Sequence, residues 1–277
     1  MLIRPLGFSV HPYFIDVVLP LGISFYTFQT ISYSIDVYRG KIKAATNYFD
    51  FALYVSFFPQ LIAGPIERGT NLLPQILKER KINLYQVYKG IYLFLWGFFL
   101  KVFIADNLAK IADPIFDNYF AYKGINILIA IYSFSFQIYC DFAGYSFMAI
   151  GLGMTMGIKL MENFCRPYFS KNISEFWRRW HISLSSWFRD YMFTPFYIYL
   201  SGMKFFVRFN LKTKHALVFI IALLFTEFLL GMWHGAGWNF IFWGALHGFY
   251  LIVNHAWRAS TLHLRAGVSN RVLRLPR

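Results

Sequence analysis

The residues of this sequence best suited to moving a proton are its seven histidines, and their surroundings divide them. His11, His215, His255 and His263 lie near the ends of apolar runs or in the tail, where a solvated imidazole needs no further reason. His181, His234 and His247 sit among aromatic and aliphatic residues. Burial favours the neutral ring, one nitrogen of which accepts a proton, so each is a general-base candidate. A histidine buried only for packing leaves the same trace. His234 has the strongest local case: it closes the run Leu229-Leu230-Gly231-Met232-Trp233 and precedes Gly235-Ala236-Gly237. Small residues there let another backbone or a ligand approach, and two glycines weaken a helix where a polar side chain enters. A base at a helix broken deep in a membrane, beside a cavity, is the expectation. Glu227, two turns earlier, reaches that imidazole only through an intervening group; the alternative is a carboxyl paired with an interior Arg or Lys. His247 falls about 220° further round a continuous helix. Its neighbours Gly244 and Gly248 favour tight helix packing and a structural role.

Other chemistry has little support. There is no GxSxG elbow, HExxH, P-loop or GxGxxG. Gly151-Leu152-Gly153 with Gly157 lies in an apolar stretch, where glycines serve helix contacts. Cys140 and Cys165 are too few for a disulfide framework, lack metal-ligand spacing and read as buried thiols. No metal site is expected. Lys101 is placed to snorkel or to pair with Asp106.

The elements that must hold these groups are membrane helices. Only 14% of the 277 residues are charged against 57% hydrophobic, far from a soluble domain, and 22% aromatic content excludes disorder. The 27 Lys and Arg outnumber 13 Asp and Glu, but they cluster between apolar runs: Arg39, Lys41 and Lys43; Lys78, Arg80 and Lys81; Lys204, Arg208, Lys212 and Lys214. That is the positive-inside pattern of cytoplasmic loops, and it argues against nucleic acid. Runs near the roughly 20 residues a crossing helix needs cover Tyr85–Ala105, Ile125–Tyr139, His215–Trp233 and Trp238–Trp257. Ile15–Tyr38, Tyr48–Ala63 and Phe142–Leu160 contain Ser, Thr, Gln, Gly or Pro and read as interior or broken helices. Pro5, His11, Pro12 and Asp16 interrupt the N-terminal apolar stretch, so insertion is expected to rely on internal helices.

Ala63–Gly69 should turn sharply at or inside the interface, and Pro167 should stop a helix before Arg166. From Ile173 to Tyr191, aromatic residues at helical spacing oppose Arg178, Arg179, Ser183, Ser186 and Arg189. Asn172 and Glu175 would cap its start reciprocally. This describes one amphipathic helix lying in the interface, with His181 on its apolar side. The basic stretch Ser260–Arg277 reads as a tail.

The strings FWRRWHISLSSWFRDY (Phe176–Tyr191) and GMWHGAGWNFIFWGALHG (Gly231–Gly248) resemble the membrane-bound O-acyltransferase family in its alginate O-acetyltransferase branch. So do PLGISFYTFQTISYSIDVYRG (Pro20–Gly40), FFPQLIAGPIERGTNLLPQ (Phe57–Gln75) and YCDFAGYSFMAIG (Tyr139–Gly151). Five ordered blocks over about residues 20 to 250 carry the resemblance. It implies one membrane-embedded acyltransferase core over residues 1–277, an all-α polytopic transmembrane bundle with re-entrant or broken helices and about seven crossing or re-entrant segments.

By match to the WHG block the catalytic base is His234, and by match to the RWH block the supporting histidine is His181. Trp233, Trp238 and Asn239 would line the cavity, with Glu227 nearby. Arg178, Arg179, Arg189 and Asp190 would hold the helix in the interface or steer an anionic donor. The resemblance further implies no tightly bound cofactor, acetyl-CoA or another acyl thioester as donor, and an extracytoplasmic partner protein, carrier protein or polysaccharide. The location implied is the bacterial inner membrane. Phe147 stands where the branch usually carries an acidic residue. Family members are longer, so a truncated or split gene product, and an inactive remnant, are also expected readings. Two rival functions compete with acetyl transfer: D-alanyl transfer, as in a sister branch, and a non-enzymatic role as transporter or scaffold. A transporter would show inverted repeats, and none is evident.

Overall fold

Apolar runs that cannot leave a backbone amide unpaired in lipid fold as helices, and helix is the only extended regular structure among the described residues of the computed structural model. Those residues are 22–61 and 63–272, without the side chains of 207 and 262–272. His11, Ile15 to Leu21 and the last five residues of the basic tail lie outside them. The chain divides into two compact units. Of the described residues, one holds those up to Cys165 together with Arg179–Leu184; the other holds Arg166–Arg178 and those from Ser185 onward.

In the first unit the order is α1 (Ile23–Tyr38), α2 (Tyr48–Val55), α3 (Gly69–Leu77), α4 (Leu84–Phe98), a π-helical turn (Phe99–Ala105), α5 (Asp106–Asp117) and α6 (Ile125–Thr155). Its centre is the antiparallel pair α4 and α6. A Cβ on Gly97 would lie 2.4 Å from the Gly144 carbonyl oxygen, and one on Gly151 would lie 2.5 Å from that of Gly90. Two glycines seven apart on each helix thus bring the backbones together, as expected where packing rather than water drives association. Below this contact Ala105, Ala112 and Ala130 are also buried. Within the π turn, Lys101 Nζ lies 2.6 Å from a carboxylate oxygen of Asp106 and 2.6 Å from one of Asp141 on α6. The first pairing agrees with the sequence; the second was not legible there.

α3 is stitched to the loop after α6 by side chains that pair with main chain. Gln75 Nε2 donates to the Lys159 carbonyl at 3.0 Å, and its Oε1 accepts from the Lys159 amide at 2.8 Å. The Glu67 carboxylate accepts from Asn71 Nδ2 at 2.6 Å and from the Met161 amide. Glu67 is 0% exposed, and most of the Ala63–Gly69 turn is buried in the protein. Desolvation pushes the Glu67 carboxyl above its ordinary 4.5, against the pull of its two donors and Arg68. A raised carboxyl pKa means the native state holds the proton longer than the unfolded chain. Its contribution is complete below about pH 4.5 and is lost as pH rises through the raised value. Raising the pH from about 4.5 to 8 should therefore lower the melting temperature of the wild type more than that of Glu67→Gln, which cannot ionise there although its amide replaces one of the two accepting oxygens with a donor. Thermal melting in detergent across that range checks this, and an unchanged wild-type slope in the variant would refute it.

The second unit holds most of α7 (Ile173–Arg179), the end of α8 (Ile182–Phe188), a π turn (Arg189–Phe193), α9 (Thr194–Gly202), α10 (Lys204–Val207), α11 (Leu211–His234) and α12 (Trp238–Val272). Asn210 Oδ1 caps α11 by accepting from the Thr213 amide at 2.9 Å. Leu200, Phe206, Val218 and Ala222 form the core beside α9. α11 and α12 make a helical hairpin closed by glycines: a Cβ on Gly244 would lie 2.3 Å from the Glu227 carbonyl oxygen, and one on Gly248 3.4 Å from the Glu227 side chain.

Among the described residues three helices are long and apolar enough to cross a membrane: Leu84–Asp117, Ile125–Thr155 and Leu211–His234. The runs expected at 125–139 and 142–160 are one helix, ending at Thr155 because Gly157 turns left-handed (φ 73°). That helix therefore stops well before Arg166. Tyr48–Ala63 yields only eight helical residues and a short 3-10 turn, broken as its polar content implied.

Candidate functional site

His181 is 3% exposed, and the chain reverses hand to put it there. Its φ is 42°, a conformation that costs an L residue about 1–2 kcal/mol. The single amphipathic helix expected over Ile173–Tyr191 is therefore corrected: α7 stops at Arg179, α8 starts at Ile182, and a π turn follows at Arg189. Its aromatic residues pack against protein. Trp177 packs on Trp243 (5.7 Å) and His247 (5.2 Å) of α12, Asn254 donates to Ser174 at 2.8 Å, and Trp187 is 0% exposed. Asn172 caps α7 by accepting from the Glu175 amide, and the Glu175 carboxylate accepts from the Lys171 amide at 3.0 Å.

The break around His181 is held by Asn163, a residue to which no motif or periodicity in the sequence draws attention. Asn163 is 1% exposed. Its Nδ2 donates to Ser146 Oγ at 3.0 Å; its Oδ1 accepts from the Ser183 hydroxyl (2.9 Å) and amide (3.2 Å). Its carbonyl accepts from the Ile182 amide at 2.9 Å, and the Cys165 amide donates to the Arg179 carbonyl at 2.9 Å. The imidazole of His181 meets Phe142 edge-on at 4.5 Å and lies parallel to Phe164 at 6.4 Å. The only signal in the sequence is an Asn close to a stop-helix proline. Cys165, expected to be buried, is exposed in this same loop; Cys140 is buried.

His234 is the last residue of α11, and Gly235 leaves it in extended conformation. The imidazole is exposed and sits at the closed end of a hairpin, which corrects the expectation of a buried base within a broken helix. The ring is framed by Trp233 (4.7 Å), Trp243 (4.9 Å, edge-on) and Phe240 (6.4 Å, parallel). What approaches the small residues is the chain itself: a Cβ on Gly235 would strike the Phe240 ring at 2.4 Å, and one on Gly237 the Asn239 Oδ1 at 2.3 Å. Trp243 touches both His234 and His247, so the hairpin brings to one tryptophan two histidines that a continuous helix would separate.

The other expected site residues fall as follows. Trp238 and Asn239 are exposed on the first turn of α12, and Trp233 is half-buried. Arg178 is exposed and Arg179 half-buried. Arg189 donates to its neighbour Asp190 at 2.9 Å on an open surface. Glu227 is 8% exposed beneath Gly244 and Gly248, with no Arg or Lys paired to it among the described residues; its Oε2 has no hydrogen-bond partner there. Around His234 the structure thus places aromatic walls and an exposed imidazole.

A profile of the membrane-bound O-acyltransferase family matches residues 41–266. The chain belongs to that family. Among curated members of the family, it is 47% identical over 253 residues to the "Probable alginate O-acetylase" of Azotobacter vinelandii, covering 91% of this chain and 48% of the relative. It is 40% identical to the "Peptidoglycan O-acetyltransferase" of Helicobacter pylori, over 89% of this chain and 49% of the relative. With the "Teichoic acid D-alanyltransferase" of Streptococcus thermophilus the identity is 32%, over 86% and 57%. The chain spans about half the length of these membrane-bound O-acyltransferase relatives.

Proposed function

We propose that this membrane-bound O-acyltransferase moves an acyl group, acetyl in the first instance, from a thioester donor toward hydroxyls of an exported polysaccharide of the alginate kind. What carries the reading is the gradient of likeness: 45–48% identity to alginate O-acetylases over about nine-tenths of the chain, against 40% to a peptidoglycan O-acetyltransferase and 32–33% to teichoic acid D-alanyltransferases. The chain acts as one multi-pass core in the bacterial inner membrane, taking its donor, acetyl-CoA or an acylated carrier protein, from the cytoplasm. It needs no bound cofactor, since the thioester is already activated. An extracytoplasmic partner protein or the polymer itself receives the group.

In this reading neutral His234 takes the acceptor hydroxyl proton as that oxygen bonds to the acyl carbon. The tetrahedral intermediate then expels the thiolate, which recovers the proton from the imidazolium, and ester and thiol leave. His181 is the supporting histidine, orienting the acceptor or stabilising the developing oxyanion. Trp233, Trp238 and Asn239 line the approach to His234, with Glu227 beneath. Arg178, Arg179, Arg189 and Asp190 attract the anionic end of the donor.

The test is acetyl ester content of exported polysaccharide in a strain deleted for the gene and complemented with the wild-type gene. Restored acetyl ester supports the proposal. Unrestored content with the protein present in the membrane, together with restored D-alanyl ester or no ester, would move the substrate elsewhere.

A further inference from the structure

His181 adopts a conformation that its own side chain disfavours, and one residue holds the two positions that follow it. Asn163 grips Ser183 through Oδ1, which accepts from hydroxyl and amide, and grips the Ile182 amide through its carbonyl. Its Nδ2 anchors this assembly to Ser146 on α6, whose hydroxyl in turn donates to the Ala63 carbonyl at 3.5 Å. Asn163, Ser183 and Ser146 are each 1% exposed or less, so none of these bonds exchanges freely with water. Phe142 and Phe164 supply contact faces for the imidazole. The turn that carries the ring is held by hydrogen bonds to residues 182 and 183.

We propose that Asn163 is a positioning residue: by clamping Ser183 and Ile182 against α6 it fixes the left-handed turn that aims the His181 imidazole. This rests on the reading of His181 as the supporting histidine of acyl transfer. An Asn suits the task because it offers an acceptor toward Ser183 and a donor toward Ser146 in one planar group. Leu or Ala would fill part of the space and direct nothing.

The clamp has a His181 side and a helix side, and that asymmetry makes the test. In the complemented deletion strain, acetyl ester per unit of membrane protein is compared for wild type, His181→Ala, Asn163→Ala, Asn163→Asp, Ser183→Ala and Ser146→Ala. Ser183→Ala and Ser146→Ala each remove buried hydrogen bonds, but only the first touches the turn. We expect at least tenfold loss in Asn163→Ala and in Ser183→Ala, with Ser146→Ala within twofold of wild type. Asn163→Asp, which keeps the oxygens that Ser183 donates to, should recover at least a third of wild-type acetylation. Combining Ser183→Ala with His181→Ala should lower acetylation no further than His181→Ala alone.

Equal losses in the two serine variants, tracking their abundance, would overturn the proposal in favour of simple stability, and so would wild-type acetylation in Asn163→Ala. A fully active His181→Ala would instead remove the reading of His181 on which the proposal stands. The single variants tell these failures apart.

Discussion

His234→Ala should lower acetyl transfer at least a hundredfold while the protein reaches the membrane in normal amount. The size follows from the step it serves, since a positioned general base contributes roughly 10²–10⁴ in rate. Normal abundance follows from the geometry: the imidazole is exposed on the last residue of α11, and truncating it opens no cavity in the core. His215 supplies the control. It lies on the same helix, its Nδ1 hydrogen-bonded to the Tyr197 hydroxyl at 2.7 Å, far along α11 from the WHG turn. His215→Ala should keep acetylation within twofold. Polysaccharide acetyl ester, normalised to membrane protein, reads both; an active His234→Ala at equal abundance removes the base from this site.

The second large effect is on folding. Gly144→Leu should leave almost no intact protein in the membrane, and Gly144→Ala should lower the melting temperature by several degrees. Even one added carbon on Gly144 would lie 2.7 Å from the Gly97 carbonyl oxygen and 3.1 Å from the Lys101 amide nitrogen. Those are backbone atoms of an opposing helix, so they cannot swing aside as a side chain would. Overpacking of this kind costs about 1–3 kcal/mol for a small addition and more for a branched one. It would also push Lys101 away from Asp141, its partner on α6. Gly202→Ala, where an added carbon meets nothing within 4 Å, should melt as wild type does. Melting in detergent separates these variants, and a Gly144→Leu protein as stable as Gly202→Ala would mean that the helices do not approach as described.

Much of this was readable from residue types because local rules and packing agreed. The apolar runs became helices, the basic clusters fell in or beside loops, and Gly244 and Gly248 marked a close helix contact. Lys101 found Asp106. What escaped notice required knowing which distant segments meet. The aromatic spacing of residues 173–191 is helical on both sides of His181, so periodicity continued through a break that is imposed by Asn163, 18 residues earlier. The exposure of His234 depended on where α11 stopped, and the Gly-Ala-Gly that follows it is equally consistent with a broken helix and with a hairpin turn. The burial of Glu67 was not legible, because nothing in its turn announces that Asn71 and the Met161 amide will donate to it.

The π turn at Phe99–Ala105 changes the helix's counting frame. Along Leu84–Asp117 the buried small residues are Gly90, Gly97, Ala105 and Ala112, spaced seven, eight and seven. The long interval spans the π turn, whose wider coil takes up one extra residue and keeps the small-residue stripe on one side. Without it Ile104 would stand where Ala105 does, and the face carrying Asp106 would rotate by about 100°. The segment can thus change residue type far more readily than length: a single deletion between positions 99 and 105 would throw every later residue of the helix out of step with α6.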